Sequence, residues 1–265
     1  MFRLFRTLLL PVILLIGANS TALAAMDSSA LERIQERGQL ILGTSGNMPS
    51  MTQVGEDGKV SGFDIDLALA MASLMEVELV IEQLPFGELL AGLEAGKVDV
   101  VISNMTITPK RNLSVAFVGP YLTSGKCIVS KDENLARLDP ASGANVENVK
   151  LAVLKGSTSE DVARELLTGV TVVTVDSFAD AAQMVKNDEV GGVLTDYPIC
   201  KATIMQNPDA GFVALFSLLT YEPIGIALPA NDAQFINWTE NFLRRLEGTD
   251  TLQALSERWF GSAAL

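Results

Sequence analysis

Apolar residues along this chain switch repeatedly between strand-like runs and helical spacing. Residues 39–44 (QLILGT) form a short apolar run that ends in a loop of Gly, Ser, Asn and Pro, the pattern of a strand meeting its turn. Gly55, Gly58 and Gly62 bracket a short hairpin. Residues 63–74 carry their apolar positions at helical spacing. A strand over 78–84, a helix over 87–95 and a mostly apolar strand over 98–103 follow, the last of the kind buried in parallel sheets. The cycle then restarts, with strands over 150–154, 171–175 and 190–195 and helices over 159–167 and 178–186. A strand over 224–228 and two helices, 233–246 and 251–259, close the chain, with Asp232 and Asp250 where N-caps are expected. Alternation of this kind predicts an α/β fold. It reads as two similar units joined near 121–125, with a late segment returning to the first, although no sequence repeat marks a duplication.

Ligands of open α/β sheets collect at the carboxyl ends of the strands. Those ends fall here at residues 43–45, 103–106, 155–158 and 195–197, three of them rich in small hydroxylated residues. The stretch from Ser103 to Arg111 (SNMTITPKR) leaves a buried strand for a short helical turn. Hydroxyls and free N–H groups there can receive an anion, and Arg111 can grip a carboxylate through two parallel bonds; a capped helix beside a solvated Arg is the plainer alternative. Lys155-Gly156-Ser157-Thr158 repeats the arrangement in the second unit without the spacing of a phosphate-binding P-loop; a capped helix start, with Glu160 or Asp161 following Ser157 or Thr158, is the alternative. Asp196 follows a buried strand, where a carboxylate needs a cation or several donors, unless it merely caps the helix starting at Tyr197. Asp64 and Asp66 stand two apart, so they cannot share a helix face. Both suit the positive end of the helix they open.

Charge and leader sequence narrow the class. Arg3 and Arg6 precede an apolar run from Leu8 to Ala18, then Ala22-Leu23-Ala24 offers a small-x-small cleavage site: the order of a secretory signal peptide over residues 1–24. Its apolar run of about 11 residues falls short of the ~20 that span a bilayer, an uncleaved membrane anchor being the alternative. No Cys near that site offers an acceptor for a lipid. The chain holds 19 Lys and Arg against 32 Asp and Glu, a formal charge of −13, and removal of the leader deepens it to −15 because Arg3 and Arg6 leave with it. Nucleic acid and anionic lipid would repel such a chain. No His is present, which excludes His-based triads and the usual zinc sites. Cys127 and Cys200 are the two cysteines; export permits a bridge between them, and two buried thiols are the alternative.

Taken in order, these segments resemble the extracytoplasmic solute-binding proteins for polar amino acids that serve ABC importers. Gly62–Ala70 is similar to that family's signature, the Thr106-to-Arg111 stretch to its first-lobe Ser/Thr-x-Thr-x-x-Arg segment, and Gly156-Ser157-Thr158 to its second-lobe turn. Thr195-Asp196 matches its amine-binding Asp, and Trp259-Phe260-Gly261 its terminal segment. The resemblance implies a two-lobed type II periplasmic-binding-protein fold. Lobe one would be residues 25–120 with 225–265, lobe two 126–219, and the hinge strands 121–125 and 220–224. It implies that Arg111 holds a ligand α-carboxylate, with Thr106 and the backbone N–H groups of Thr106 and Thr158. Asp196 and the Asn104 carbonyl would accept from the α-ammonium. Relatives often carry an acid and two aromatics in the loop after the first strand; Ser45, Met48 and Met51 stand there instead, with Phe86 as the other stacking aromatic. Without an acid at residue 45, and with Met48, Met51 and Phe86 as a soft apolar wall, a neutral side chain on the ligand is expected; Met residues that merely fill the core are the alternative. The implied protein is a periplasmic monomer without a cofactor, partnered by an inner-membrane ABC permease.

A second class on the same scaffold is an enzyme. Arg37-Gly38-Gln39 and Gly43-Thr44-Ser45-Gly46 also resemble periplasmic cyclohexadienyl dehydratase, for which Glu222 is the candidate general acid. Lys126 and Glu222 lie near the expected hinges. A binder of another small anion, or a soluble partner of a signalling receptor, completes the alternatives.

Overall fold

A computed structural model describes residues 29–138, 147–214 and 220–261 of the chain. The expected leader over 1–24 lies outside the described residues. Helix α1 (Ala30–Arg37) opens on a capping box between Ser29 and Glu32 and stops at Gly38 in the left-handed conformation. β1 (Gln39–Thr44), β2 (Asn47–Met48), β3 (Thr52–Val54) and β4 (Val60–Ser61) follow, the last three pairing as a small antiparallel sheet. Helix α2 (Phe63–Leu74) is apolar nearly all round and buries seven residues. Its entry needs Gly62: φ there is +144°, and a Cβ would lie 1.9 Å from the Met51 carbonyl oxygen. Then come β5 (Glu78–Gln83), a 3₁₀ turn (Phe86–Glu88), α3 (Leu89–Glu94) and β6 (Val100–Val101). A second 3₁₀ turn (Arg111–Leu113) leads into the long strand β7 (Val115–Ser124).

Only Gly125 separates β7 from β8 (Lys126–Ser130), which lies in another sheet. The second unit continues through α4 (Glu133–Ala136), β9 (Lys150–Leu154), α5 (Thr158–Leu166), β10 (Thr171–Val175), α6 (Phe178–Lys186), β11 (Gly192–Asp196) and α7 (Tyr197–Gln206). The chain re-enters the first sheet as β12 (Glu222–Pro229) and ends in α8 (Ala233–Gly248) and α9 (Thr251–Phe260).

Two lobes result. The first carries the sheet β5-β1-β6-β12-β7, the second the sheet β10-β9-β11-β8. In each, three parallel strands take the order second, first, third, so the two units repeat one topology that their sequences do not display. β7 and β12 pair antiparallel from Glu222 opposite Ser124 to Pro229 opposite Val115, which lays the outgoing and returning passages side by side. The disulfide Cys127–Cys200, with Cα atoms 6.6 Å apart, ties β8 to α7 and leaves neither thiol free. Among the described residues no helix is long and apolar enough to cross a membrane.

Several expected elements shift. The strand expected over 98–103 pairs only at Val100 and Val101, because Ser103 and Asn104 turn away to dock the following loop elsewhere. The helix expected over 87–95 begins as the 3₁₀ turn. Asp232 caps α8 by accepting from the Phe235 N–H, whereas Asp250 sits at φ +54° and caps nothing with its side chain.

Candidate functional site

Two tips of the first lobe face two tips of the second. On the first side, the loop after β6 is docked onto β12: the Ile107 N–H donates to the Pro223 carbonyl (2.7 Å) and the Gly225 N–H to that of Met105 (3.0 Å). Asn104 holds a left-handed conformation, φ +46°, and its N–H donates to Asp64 Oδ2 at 2.6 Å. On the second side, Ser157 caps α5 by accepting from the Glu160 N–H, which brings Thr158 forward, and β11 ends at Asp196.

Side chains from the two lobes meet between these tips. Asn104 Nδ2 donates to Asp196 Oδ2 at 2.7 Å, and the Thr106 and Thr158 hydroxyls lie 3.3 Å apart. Arg111 spans both sides, donating from Nη1 to the Thr106 carbonyl (2.8 Å) and from Nη2 to the Gly156 carbonyl (3.1 Å). Its guanidinium lies 5.6 Å from the centre of the Phe86 ring, a cation–π arrangement. Burial lowers the Arg111 pKa from its ordinary value, while Asp161, Asp196 and Glu222 act the other way. Those bonds commit two of its five N–H donors. Asn104 is buried, yet its Oδ1 has no partner among the described residues. A guanidinium with donors to spare thus shares the site with a carboxylate and an orphan acceptor.

Lys126 completes the cluster. Its side chain is wholly buried, and its ammonium meets Asp196 Oδ1 at 2.6 Å, Thr158 Oγ1 at 2.8 Å and Glu222 Oε2 at 3.4 Å. Glu222 also accepts from Thr158 Oγ1 (3.1 Å) and Thr220 Oγ1 (3.0 Å). The sequence placed Lys126 near a hinge with no role and Glu222 near a hinge as the candidate general acid of the enzyme alternative. One signal was present: Lys126 is the single charge opening a strand whose five residues are all buried (KCIVS).

Of the residues expected to bind ligand, Asn104, Thr106, Arg111, Thr158, Asp196 and Phe86 come together. Asp196 occupies the N-cap position of α7 but makes no capping bond, so its carboxylate is committed to the cluster. Ser45 stands one step behind: its N–H donates to Ser103 Oγ and its hydroxyl faces Ser103 and Thr52. Met48 and Met51 lie in the hydrophobic core cluster that also takes in Phe86. They are 2% and 0% exposed and belong to the hydrophobic core, so they fill volume behind the loop, where an unbranched thioether fits irregular space. Asp64 likewise does more than face a helix dipole. It accepts from the Asn104 N–H and, at 2.8 Å, from the Tyr121 hydroxyl, and burial pushes its pKa up to about 7 against those two bonds.

Residues 40–262 match the model of bacterial extracellular solute-binding proteins, family 3. The chain is 27% identical over 255 residues to the L-cystine-binding protein TcyJ of Escherichia coli K12, covering 94% of this chain and 95% of that one. Among solved structures it is similar to a mutant of ArgBP from T. maritima, with a TM-score of 0.80 and 33% identity over 88% of this chain and all of that one. It is also similar to the ancestral amino acid-binding protein AncCDT-1, a precursor of cyclohexadienyl dehydratase, with a TM-score of 0.78, 32% identity and the same coverage.

Proposed function

The chain belongs to the family 3 bacterial extracellular solute-binding proteins, and on that premise we propose that it is the substrate-binding component of an ABC importer, closing two lobes over an amino acid with an uncharged side chain. The observation that carries this reading is the meeting of Arg111 with Asp196 and the orphan Asn104 Oδ1. A carboxylate takes the remaining guanidinium donors, the Thr106 hydroxyl and the backbone N–H groups of Thr106 and Thr158, while the Thr158 hydroxyl stays with Glu222 and Lys126. An ammonium donates to the free lone pairs of Asp196 and to Asn104 Oδ1. The two groups must be joined in one small molecule, as they are in a zwitterion. Phe86 would flank the guest while holding the guanidinium flat.

In this reading, lobe one comprises residues 25–120 with 225–265, lobe two 126–219, and the strands 121–125 and 220–224 form the hinge. The antiparallel pairing of β7 with β12 supports that hinge, since two parallel passages define one bending axis. The protein acts in the periplasm as a monomer after cleavage near Ala24, and the closed form is what the permease reads. The names of the relatives include cystine and arginine binders, so the chemistry of the guest's side chain rests on this chain's own residues.

Calorimetry against the common amino acids tests the proposal, with each binder paired with its 2-hydroxy analogue. A neutral amino acid should bind, and loss of the ammonium should weaken it on the order of 100-fold. Equal affinity for the two would exclude the Asp196 contact. Turnover of prephenate would exclude a role confined to binding.

A further inference from the structure

The cluster's charges form a closed set. Lys126 and Arg111 supply two positive charges, Asp196 and Glu222 two negative ones, and the sum is zero. Lys126, Asp196 and Glu222 are 0%, 7% and 5% exposed, so water screens none of them well and a surplus charge is costly. Glu222 is not needed to hold an ammonium beside Asn104; its contacts are Lys126 and two threonine hydroxyls. Other charges nearby do not upset the balance. Asp161 is exposed, where water screens it, and Asp64, held behind Asn104 by the Asn104 N–H and the Tyr121 hydroxyl, has its pKa raised by burial to about 7, which keeps its carboxyl neutral below that value. Ser45 contributes no charge where it approaches Ser103.

We propose that Lys126 and Glu222 are specificity-determining residues that fix the net charge of the guest. Each cancels the other, so the cluster stays balanced only around a molecule of zero net charge, an amino acid whose side chain is neutral. This rests on the amino-acid reading above and adds to it the device that rejects charged side chains, by leaving them one uncompensated charge beside buried groups that water screens poorly. The same pair is adjustable. Removing the acid leaves a surplus positive charge, and removing the base leaves a surplus negative one.

The test uses Glu222→Gln, Lys126→Met and the double variant, each titrated calorimetrically with glutamine, glutamate and lysine at one pH and ionic strength. Glu222→Gln should shift the glutamate-to-glutamine affinity ratio toward glutamate on the order of tenfold, and Lys126→Met the lysine-to-glutamine ratio toward lysine by a similar factor. The double variant, again balanced, should restore the parent's order of preference. Ratios in both single variants within about twofold of the parent's would overturn the inference. Should Lys126→Met fail to fold, Glu222→Gln and the double variant decide alone. Failure of the unsubstituted protein to bind any amino acid is read separately, and it removes the functional reading together with this one.

Discussion

Arg111 is held within its own lobe by the Thr106 carbonyl and the Phe86 ring, which orient its guanidinium plane before any guest arrives, and it reaches the Gly156 carbonyl across the gap when the lobes meet. Arg111→Ala should therefore lower amino-acid affinity on the order of 100-fold or more, with the circular dichroism of the folded chain unchanged. Calorimetry giving parental affinity in the folded variant would contradict the assignment. Asp64 acts differently, because it touches the Asn104 backbone. Its pKa is raised from 3.8 to about 7 mainly by burial, so between those values the folded chain keeps a proton that the unfolded chain releases. The stability contributed by protonated Asp64 is whole below about pH 4 and is lost as pH rises through about 7. Asp64→Asn stays neutral throughout. Its unfolding free energy relative to the parent should rise by on the order of a few kcal/mol as pH goes from about 5 to about 8, measured by denaturant titration at the two values. A constant difference would mean that Asp64 titrates as an ordinary carboxylate.

The elements that carry the site are short and stiffened from outside. β8 presents Lys126 and is joined to α7, which begins beside Asp196, by the Cys127–Cys200 disulfide. The bridge closes a loop across 73 residues of sequence separation, and in the chain-entropy account its removal should cost about 4 kcal/mol. Denaturant melts with and without reductant would show this as a lower midpoint. Unchanged midpoints with full reduction would mean that packing alone holds β8 and α7 together. The second sheet also has its own small core of Ile128, Leu151, Val153, Ala163, Leu167 and Leu194, so reduction should loosen this lobe before the other.

At the scale of the whole molecule, the backbones of the two lobes approach each other where Gly156 meets Gly87. Gly156 has φ +76°, and a Cβ on it would lie 2.9 Å from the Gly87 Cα, tighter than real carbon contacts allow. Further ties across the gap run from the Asn47 side chain to the Asp176 carbonyl and between Gln53 and Gln206. Gly156→Ala should stop the lobes from seating fully and weaken the guest on the order of tenfold, at a stability cost of only ~1–2 kcal/mol from backbone strain. Small-angle scattering of the liganded variant should show a larger radius of gyration than the liganded parent. Identical radii would place the contact outside the closing motion.

How much of this was legible follows from range. Helix α2 and strands β1, β9 and β10 match their sequence patterns to the residue, because spacing, glycines and caps act over a few positions. β6 shrank to two residues and Asp250 lost its capping role, since both depend on where the chain goes next. Arg111, Thr106, Thr158 and Asp196 stood out as polar residues at the ends of buried strands. Lys126 and Glu222 gave only weak signals, being 96 positions apart in sequence and made partners by the crossover of β7–β8 with β12. Local spacing and hydrophobicity thus determined by themselves the α/β alternation and the residue types offered to a guest. Only tertiary structure decided that Met48 and Met51 are core, that the two cysteines are joined, and which charges cancel, because burial and Coulomb interaction depend on distance in space and not along the chain.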